Sequence, residues 1–254
     1  MPRGTMAIFF SNPRMRRTAD QFYPFRQNSA LFALSGLEQE NTILILYPDA
    51  PNPSFREVAF ILPQDTHHKI WNGDRYTPLA ARRISGIDTI KSTNLWTKVI
   101  RDLAGIARSI MVNCPWPDDE NGQVQKVVYQ ELEWLKQHCP QLSITSVYPI
   151  LESMMMIKHP LELDLMRRAI DITGLAFDRL LRALHPGMKE FEAEAELTFI
   201  FTQHGCSHAF EPIIASGKSA CTLHYTRNNG VIGKDELVLI DFGAAYANMN
   251  ADVT

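Results

Sequence analysis

Asp241 ends the apolar run Leu237-Val238-Leu239-Ile240, and a second aspartate, Asp252, follows eleven residues later. The run reads as a buried strand with a carboxylate near its end. If Ala247-Asn248 is a two-residue turn, Tyr246 faces Met249 and Gly243 faces Asp252. Side chains repeat every two residues along a strand, so Asp241 shares a face with Gly243. Both carboxylates then leave one face of adjacent strands as diagonal neighbours, roughly 5–8 Å apart. A four-residue loop over 246–249 preserves this, whereas a three-residue loop puts them on opposite faces. Two carboxylates that close repel by about 3 kcal/mol at an effective dielectric of roughly 20. Residues 235–254 hold Asp235, Glu236, Asp241 and Asp252 and no lysine or arginine. The pair therefore needs a distant base, a shared proton or a metal cation. A strand-end aspartate also serves as an ordinary turn or cap residue, and that reading stays open at this point.

Positioning such a pair takes a folded frame, and the sequence supplies one in two parts. Residues 42–47 and 57–62 are continuous apolar runs that predict a hairpin with a long Pro-rich loop. Residues 109–112 and 143–148 read as two further strands, with a helix over 125–138 between them. This is an α/β domain with a mixed sheet, over residues 1–150. The pattern changes between Pro149 and Pro160. Met166, Ala169, Ile170, Thr173, Phe177, Leu180, Leu181 and Leu184 recur at three and four residues, one face of a helix that His185-Pro186-Gly187 ends. Ala193, Leu197, Ile200 and Phe201 line a second helix, stopped at His204-Gly205. Strands are expected over 212–217, 221–225 and from 236 onward. Residues 151–254 thus read as an α+β domain.

Composition narrows the function classes. The chain has 254 residues, 45% hydrophobic and 21% charged, which is a core-forming composition. Its net charge is −3, where an electrostatic nucleic-acid binder carries a basic excess. No apolar run approaches the roughly 18 residues of a membrane span, and Met6–Phe10 is too short for a signal-peptide core. Cys114, Cys139, Cys206 and Cys221 are widely spaced without a CxxC pair, as expected of reduced thiols in a cytoplasmic protein.

Several motifs, in order, resemble one family. Leu239-Ile240-Asp241-Phe242-Gly243 through Asn250-Ala251-Asp252-Val253-Thr254 resembles the first two metal-ligand aspartates of the creatinase/aminopeptidase P metallopeptidases. Leu223-His224-Tyr225-Thr226 is similar to that family's active-site histidine segment, with Ile213–Gly217 in its place upstream. Lys158-His159-Pro160 through Ala169 is similar to the entry into its catalytic "pita-bread" domain. Phe22–Gln27 and Ile70–Arg75 resemble its N-terminal domain. The nearest likeness is to the Xaa-Pro aminopeptidases. Met155 stands where the family often has arginine, and Ala245 where glutamate is common.

The resemblance implies an α/β N-terminal domain over 1–150 and the first, incomplete part of the pita-bread domain over 151–254. It implies two divalent metal ions, most often manganese, bridged by Asp241 and bound on one side by Asp252; hard oxygen ligands suit that metal. Water activated between the metals would attack the scissile carbonyl. His224 would be catalytic, donating a hydrogen bond to the substrate carbonyl or the tetrahedral intermediate. Trp71 would bind substrate as an aromatic wall, in its own or a neighbouring subunit. The remaining ligands, one histidine and two glutamates, are expected beyond Thr254, so the 254-residue chain is expected to be inactive alone. The substrate the resemblance implies is a peptide with proline in second position, and the full-length protein is expected to be a cytoplasmic homo-oligomer. A prolidase-type dipeptidase and a non-catalytic relative of the fold are the alternatives.

Other residues have plainer readings. His224 on an apolar strand would be a hydrogen-bonded core histidine. His204 and His208 have the spacing of a helical zinc pair, but Gly205 breaks the helix between them. His67-His68 sits beside a Pro and Asp turn and reads as solvent-facing. Trp71 could fill the N-terminal core. Met154-Met155-Met156 reads as packing filler. Gly217-Lys218-Ser219 is not a phosphate loop, because Pro212 stands where its first glycine belongs.

Overall fold

The computed structural model describes residues 1–113 and 126–254, the side chains of 126–129 excepted. Cys114 and Gln125 lie outside the described residues. The chain forms two compact units, Met1–Met156 and Ile157–Thr254.

The first unit is built on a six-stranded sheet in the order Thr89–Ser92, Glu57–Ile61, Ile43–Leu46, Thr5–Phe10, Ser109–Val112, Ser143–Ser146. Ile43–Leu46 runs antiparallel to both neighbours, and the other pairings are parallel. The sheet is therefore mixed, and the 42–47/57–62 hairpin forms as the apolar runs predict. Thr5–Phe10 is central and wholly buried, which is why it is apolar at nearly every position. Met6, Ile8 and Phe10 pack with Val99, Ile100 and Leu103 of helix Trp96–Ala104 on one face. Ala7 and Phe9 pack with Leu31, Ala81 and Leu151 on the other. Asn113 closes the end of this strand, accepting from Phe10 N at 2.8 Å and donating to Phe10 O at 2.9 Å. Tyr148 does not extend the last strand: residues Tyr148–Met156 are helical. Met154, Met155 and Met156 on that helix are exposed, so they are not packing filler.

In the second unit, helices Pro160–Ala183 and Glu190–Gln203 pack against each other. Ile172, Ala176 and Leu180 of the first meet Ala193, Leu197 and Phe201 of the second, with Ile214, Phe242 and Ala244 beneath them. The first helix starts at Pro160, where proline lacks only an N–H that would be unpaired anyway. His159 Nδ1 accepts from Leu161 N there, and the Glu162 carboxylate accepts from His159 N. Two small sheets complete the unit: Ile213–Ser216 with Val238–Asp241, and Ser207–His208 with Ala244–Tyr246 and Met249–Asn250. No strand forms over 221–225; Gly217–Cys221 is a single 3-10 turn and 222–224 continue as bends and turns.

Candidate metal centre

Asp241 is the last residue of Val238–Asp241, which pairs antiparallel with Ile213–Ser216 and sets Asp241 opposite Ile213. The chain then bends through Phe242-Gly243 into Ala244–Tyr246. Tyr246 pairs with Met249 and Ala245 with Asn250, so Ala247-Asn248 is the two-residue turn. Both turn residues have positive φ, 48° and 64°, the signature of a type I′ hairpin. The ladder continues: Ala251 N donates to Ala244 O at 2.9 Å, and Phe242 and Val253 exchange bonds of 3.0 and 3.1 Å. This register sets Gly243 opposite Asp252.

Gly243 is required by that pairing. A Cβ on it would lie 1.8 Å from the Ala251 carbonyl oxygen. Any side chain would push apart the two segments that carry the aspartates. The long helix pins the hairpin from below. Thr173 Oγ1, buried, donates to Ala169 O at 2.8 Å and accepts from Ala244 N at 3.0 Å. His208 flanks it from the side, paired with Ala244 and bonded through Nε2 to Thr198 Oγ1 at 2.8 Å. Burial lowers the His208 pKa from 6.5. Gly205 has φ 67° and ends the helix before His208, which puts His204 and His208 on different elements.

Asp241 Oδ1 is buried and has no hydrogen-bond partner among the described residues. A buried, unpaired carboxylate oxygen is rare and costly. Asp252 is exposed, and no ion pair among the described residues involves either aspartate. An orphaned hard oxygen with a second carboxylate across the hairpin, and no counter-ion, fits a divalent cation. Two ligands do not complete a site: no group of three His, Cys, Asp or Glu side chains that could hold a metal occurs among the described residues.

The other expected site residues lie elsewhere. His224 sits in an exposed turn of the second unit and is neither on an apolar strand nor in the core. Trp71 lies on helix Thr66–Asn72 of the first unit, 68% exposed and beside the His67 ring, so it does not fill the core. His67 and His68 are on that same helix, just after its Asp65 cap, with His67 exposed and His68 half-buried. Sequence reasoning passed over Asn228, which is buried and has φ 43°. Its Oδ1 accepts from Ile214 N at 2.9 Å, and its Nδ2 donates to Glu194 and to Pro212 O, both at 2.8 Å. It fixes the loop that carries His224 to strand and helix at once. A polar residue four places after His224 in a loop carries no periodic signal that would reveal it.

The fold is an α/β unit followed by an α+β unit whose hairpin presents two aspartates. Comparison with known proteins makes this specific. The profile of "Metallopeptidase family M24" matches residues 164–254, and that of "Aminopeptidase P, N-terminal domain" matches residues 1–111. The Xaa-Pro aminopeptidase of Escherichia coli is 30% identical over 262 residues, covering 100% of this chain and 58% of the relative. Intermediate cleaving peptidase 55 of Saccharomyces cerevisiae is 26% identical, covering 100% of this chain and 51% of its own length. Proline aminopeptidase P II from Yersinia pestis superposes with a TM-score of 0.84 at 30% identity, over 99% of this chain and 58% of that one. Escherichia coli aminopeptidase P with the inhibitor Pro-Leu gives 0.84 at 29%, over 99% and 57%. The chain belongs to the creatinase/aminopeptidase P family of metallopeptidases and carries its N-terminal domain and part of its catalytic domain. It spans a little over half the length of the relatives it matches.

Proposed function

We propose that this chain is the N-terminal and early catalytic portion of a metal-dependent aminopeptidase that removes the first residue from peptides with proline in second position. The observation that carries this is the buried Oδ1 of Asp241, without a hydrogen-bond partner among the described residues, on a hairpin that sets Gly243 against Asp252. Asp241 and Asp252 would hold the divalent metal ions, with manganese the favoured metal for an all-oxygen pair. Bound there, the metals would supply Lewis-acid polarisation and an activated water. A zinc-substituted Escherichia coli aminopeptidase P has been solved with product, which supports divalent metal use in this family.

The chain's own residues would do the rest. His224, free to reach outward from its turn, would donate a hydrogen bond to the carbonyl oxygen as charge develops on it. Trp71 would offer a flat apolar wall to the substrate. Selection for proline has a direct physical basis, because an X-Pro bond lacks an N–H and its ring fixes φ. A site shaped for the ring excludes other residues, while enzymes that bond to that N–H lose a contact. Two aspartates alone supply few ligands, so the 254-residue chain alone would not turn over peptide. The full-length protein would work as a cytoplasmic homo-oligomer. Among the described residues no helix is long and apolar enough to cross a membrane.

The test is release of the first residue from an X-Pro peptide by the full-length protein with manganese. Asp241→Asn is expected to lower kcat/KM by more than about 100-fold, since a metal ligand is lost outright. Full activity in that variant would remove the metal role. Cleavage of dipeptides alone would favour the prolidase reading.

A further inference from the structure

We propose that Glu190 is a positioning residue for the His224 turn; this rests on the reading of His224 given above. His224 and its neighbour Leu223, which is 90% exposed, stand out from the fold, so packing does not fix them. Whatever holds the imidazole in place must act through the ends of its loop, residues 217–230. Glu190 reaches both ends. It is the first residue of helix Glu190–Gln203 and is only 1% exposed. Its Oε1 accepts from Ser216 N at 2.9 Å, just before the loop. Its Oε2 accepts from the Tyr225 hydroxyl at 2.8 Å and from Gly230 N at 2.7 Å. One carboxylate thus gathers the strand that enters the loop, the residue adjoining His224 and the residue that leaves it.

The arrangement is specific to a carboxylate. Three donors converge on two oxygens, and the helix N-terminus adds a partial positive charge. An amide in the same place would turn an NH2 group toward at least one donor. The approach is also close: a Cβ on Gly230 would lie 2.8 Å from Glu190 Oε1, so the loop's return has been fitted to this side chain. The backbone repeats the link, with Glu190 N donating to Gly230 O at 3.1 Å.

Two variants of the 254-residue chain test this by amide exchange and 15N relaxation, with no metal or peptide present. In Glu190→Gln, exchange at Ser216 and Gly230 is expected to accelerate about 10- to 100-fold, the effect of losing charged hydrogen bonds. Leu197 and Phe201, on the same helix but in the core, are expected to keep their protection. Tyr225→Phe removes one hydroxyl and leaves the other two bonds. It is expected to lower the backbone order parameter of His224 from about 0.85 toward 0.6 while Gly230 stays protected. An unchanged order parameter at His224 in Tyr225→Phe would overturn the proposal, even if Glu190→Gln fails to fold. Equal loss of protection at Gly230 and Leu197 would overturn it too, by assigning Glu190 to folding of the whole unit. Neither readout depends on catalysis, so an Asp241→Asn enzyme that stays active would refute the metallopeptidase reading and leave this one standing.

Discussion

Gly243 shows how much one residue can decide. Its missing side chain is what lets the Ala251 carbonyl approach, and through it the pairing that brings Asp252 alongside the Asp241 strand. Gly243→Ala is expected to cost about 3 kcal/mol or more of stability, because a Cβ 1.8 Å from a backbone oxygen cannot be relieved by side-chain movement. Urea unfolding measures this, and an unchanged midpoint would show that the hairpin adapts. His208 gives a pH signature. Its pKa is lowered chiefly by desolvation, with Glu194 and Glu211 pulling the other way. Between the lowered folded value and 6.5 the unfolded chain binds more protons, so stability falls as pH drops through that window and is fully present above it. Urea midpoints from pH 7.5 down to about 5 are expected to decline less steeply in His208→Gln than in the wild type. Equal slopes would place the proton uptake elsewhere.

At the scale of elements, the hairpin was legible because period-two alternation and a two-residue turn leave few registers open. The continuous runs of the first sheet were equally plain, and so were the two long helices, whose apolar stripes repeat at three and four residues. What the sequence hid has physical causes. Helices Thr66–Asn72 and Pro78–Ser85 are a mere seven and eight residues long, the first with no buried residue and the second with Ala81 alone, too short for a stripe to stand out. The segment 221–225 looks β-like from Cys221, Leu223 and Tyr225, yet Tyr225 is drawn to Glu190 and Leu223 is left in solvent. Tertiary hydrogen bonds there override a weak local preference. Thr173 was legible as part of a helix face but not as the acceptor that pins Ala244 N. Thr173→Val keeps shape and helical preference while stranding that buried N–H. A loss of about 1–3 kcal/mol is expected, read by urea unfolding, and no loss would mean the N–H finds another partner.

For the whole molecule, the order of motifs along the chain proved a better guide than any one of them. An aspartate at a strand end, a histidine in a polar segment and an exposed tryptophan are each commonplace. All of them lie inside the two stretches that match family profiles, Phe22 and Trp71 within residues 1–111 and His224 and Asp252 within residues 164–254. Periodicity marks what is buried, and His224 and Trp71 are exposed. Resemblance to a family was therefore what singled them out. The aspartate pair differs, since its register follows from pairing rules and its need for a distant base, a shared proton or a cation follows from charge, the family resemblance favouring the cation.

Manganese-induced line broadening in the 254-residue chain tests that need most directly. Two carboxylates bind weakly, so millimolar manganese is required, and even a small bound fraction broadens nearby amides. Selective broadening at 240–243 and 250–253, abolished by Asp241→Asn, is the expected result. Broadening that spares both segments, or that persists in Asp241→Asn, would contradict the account.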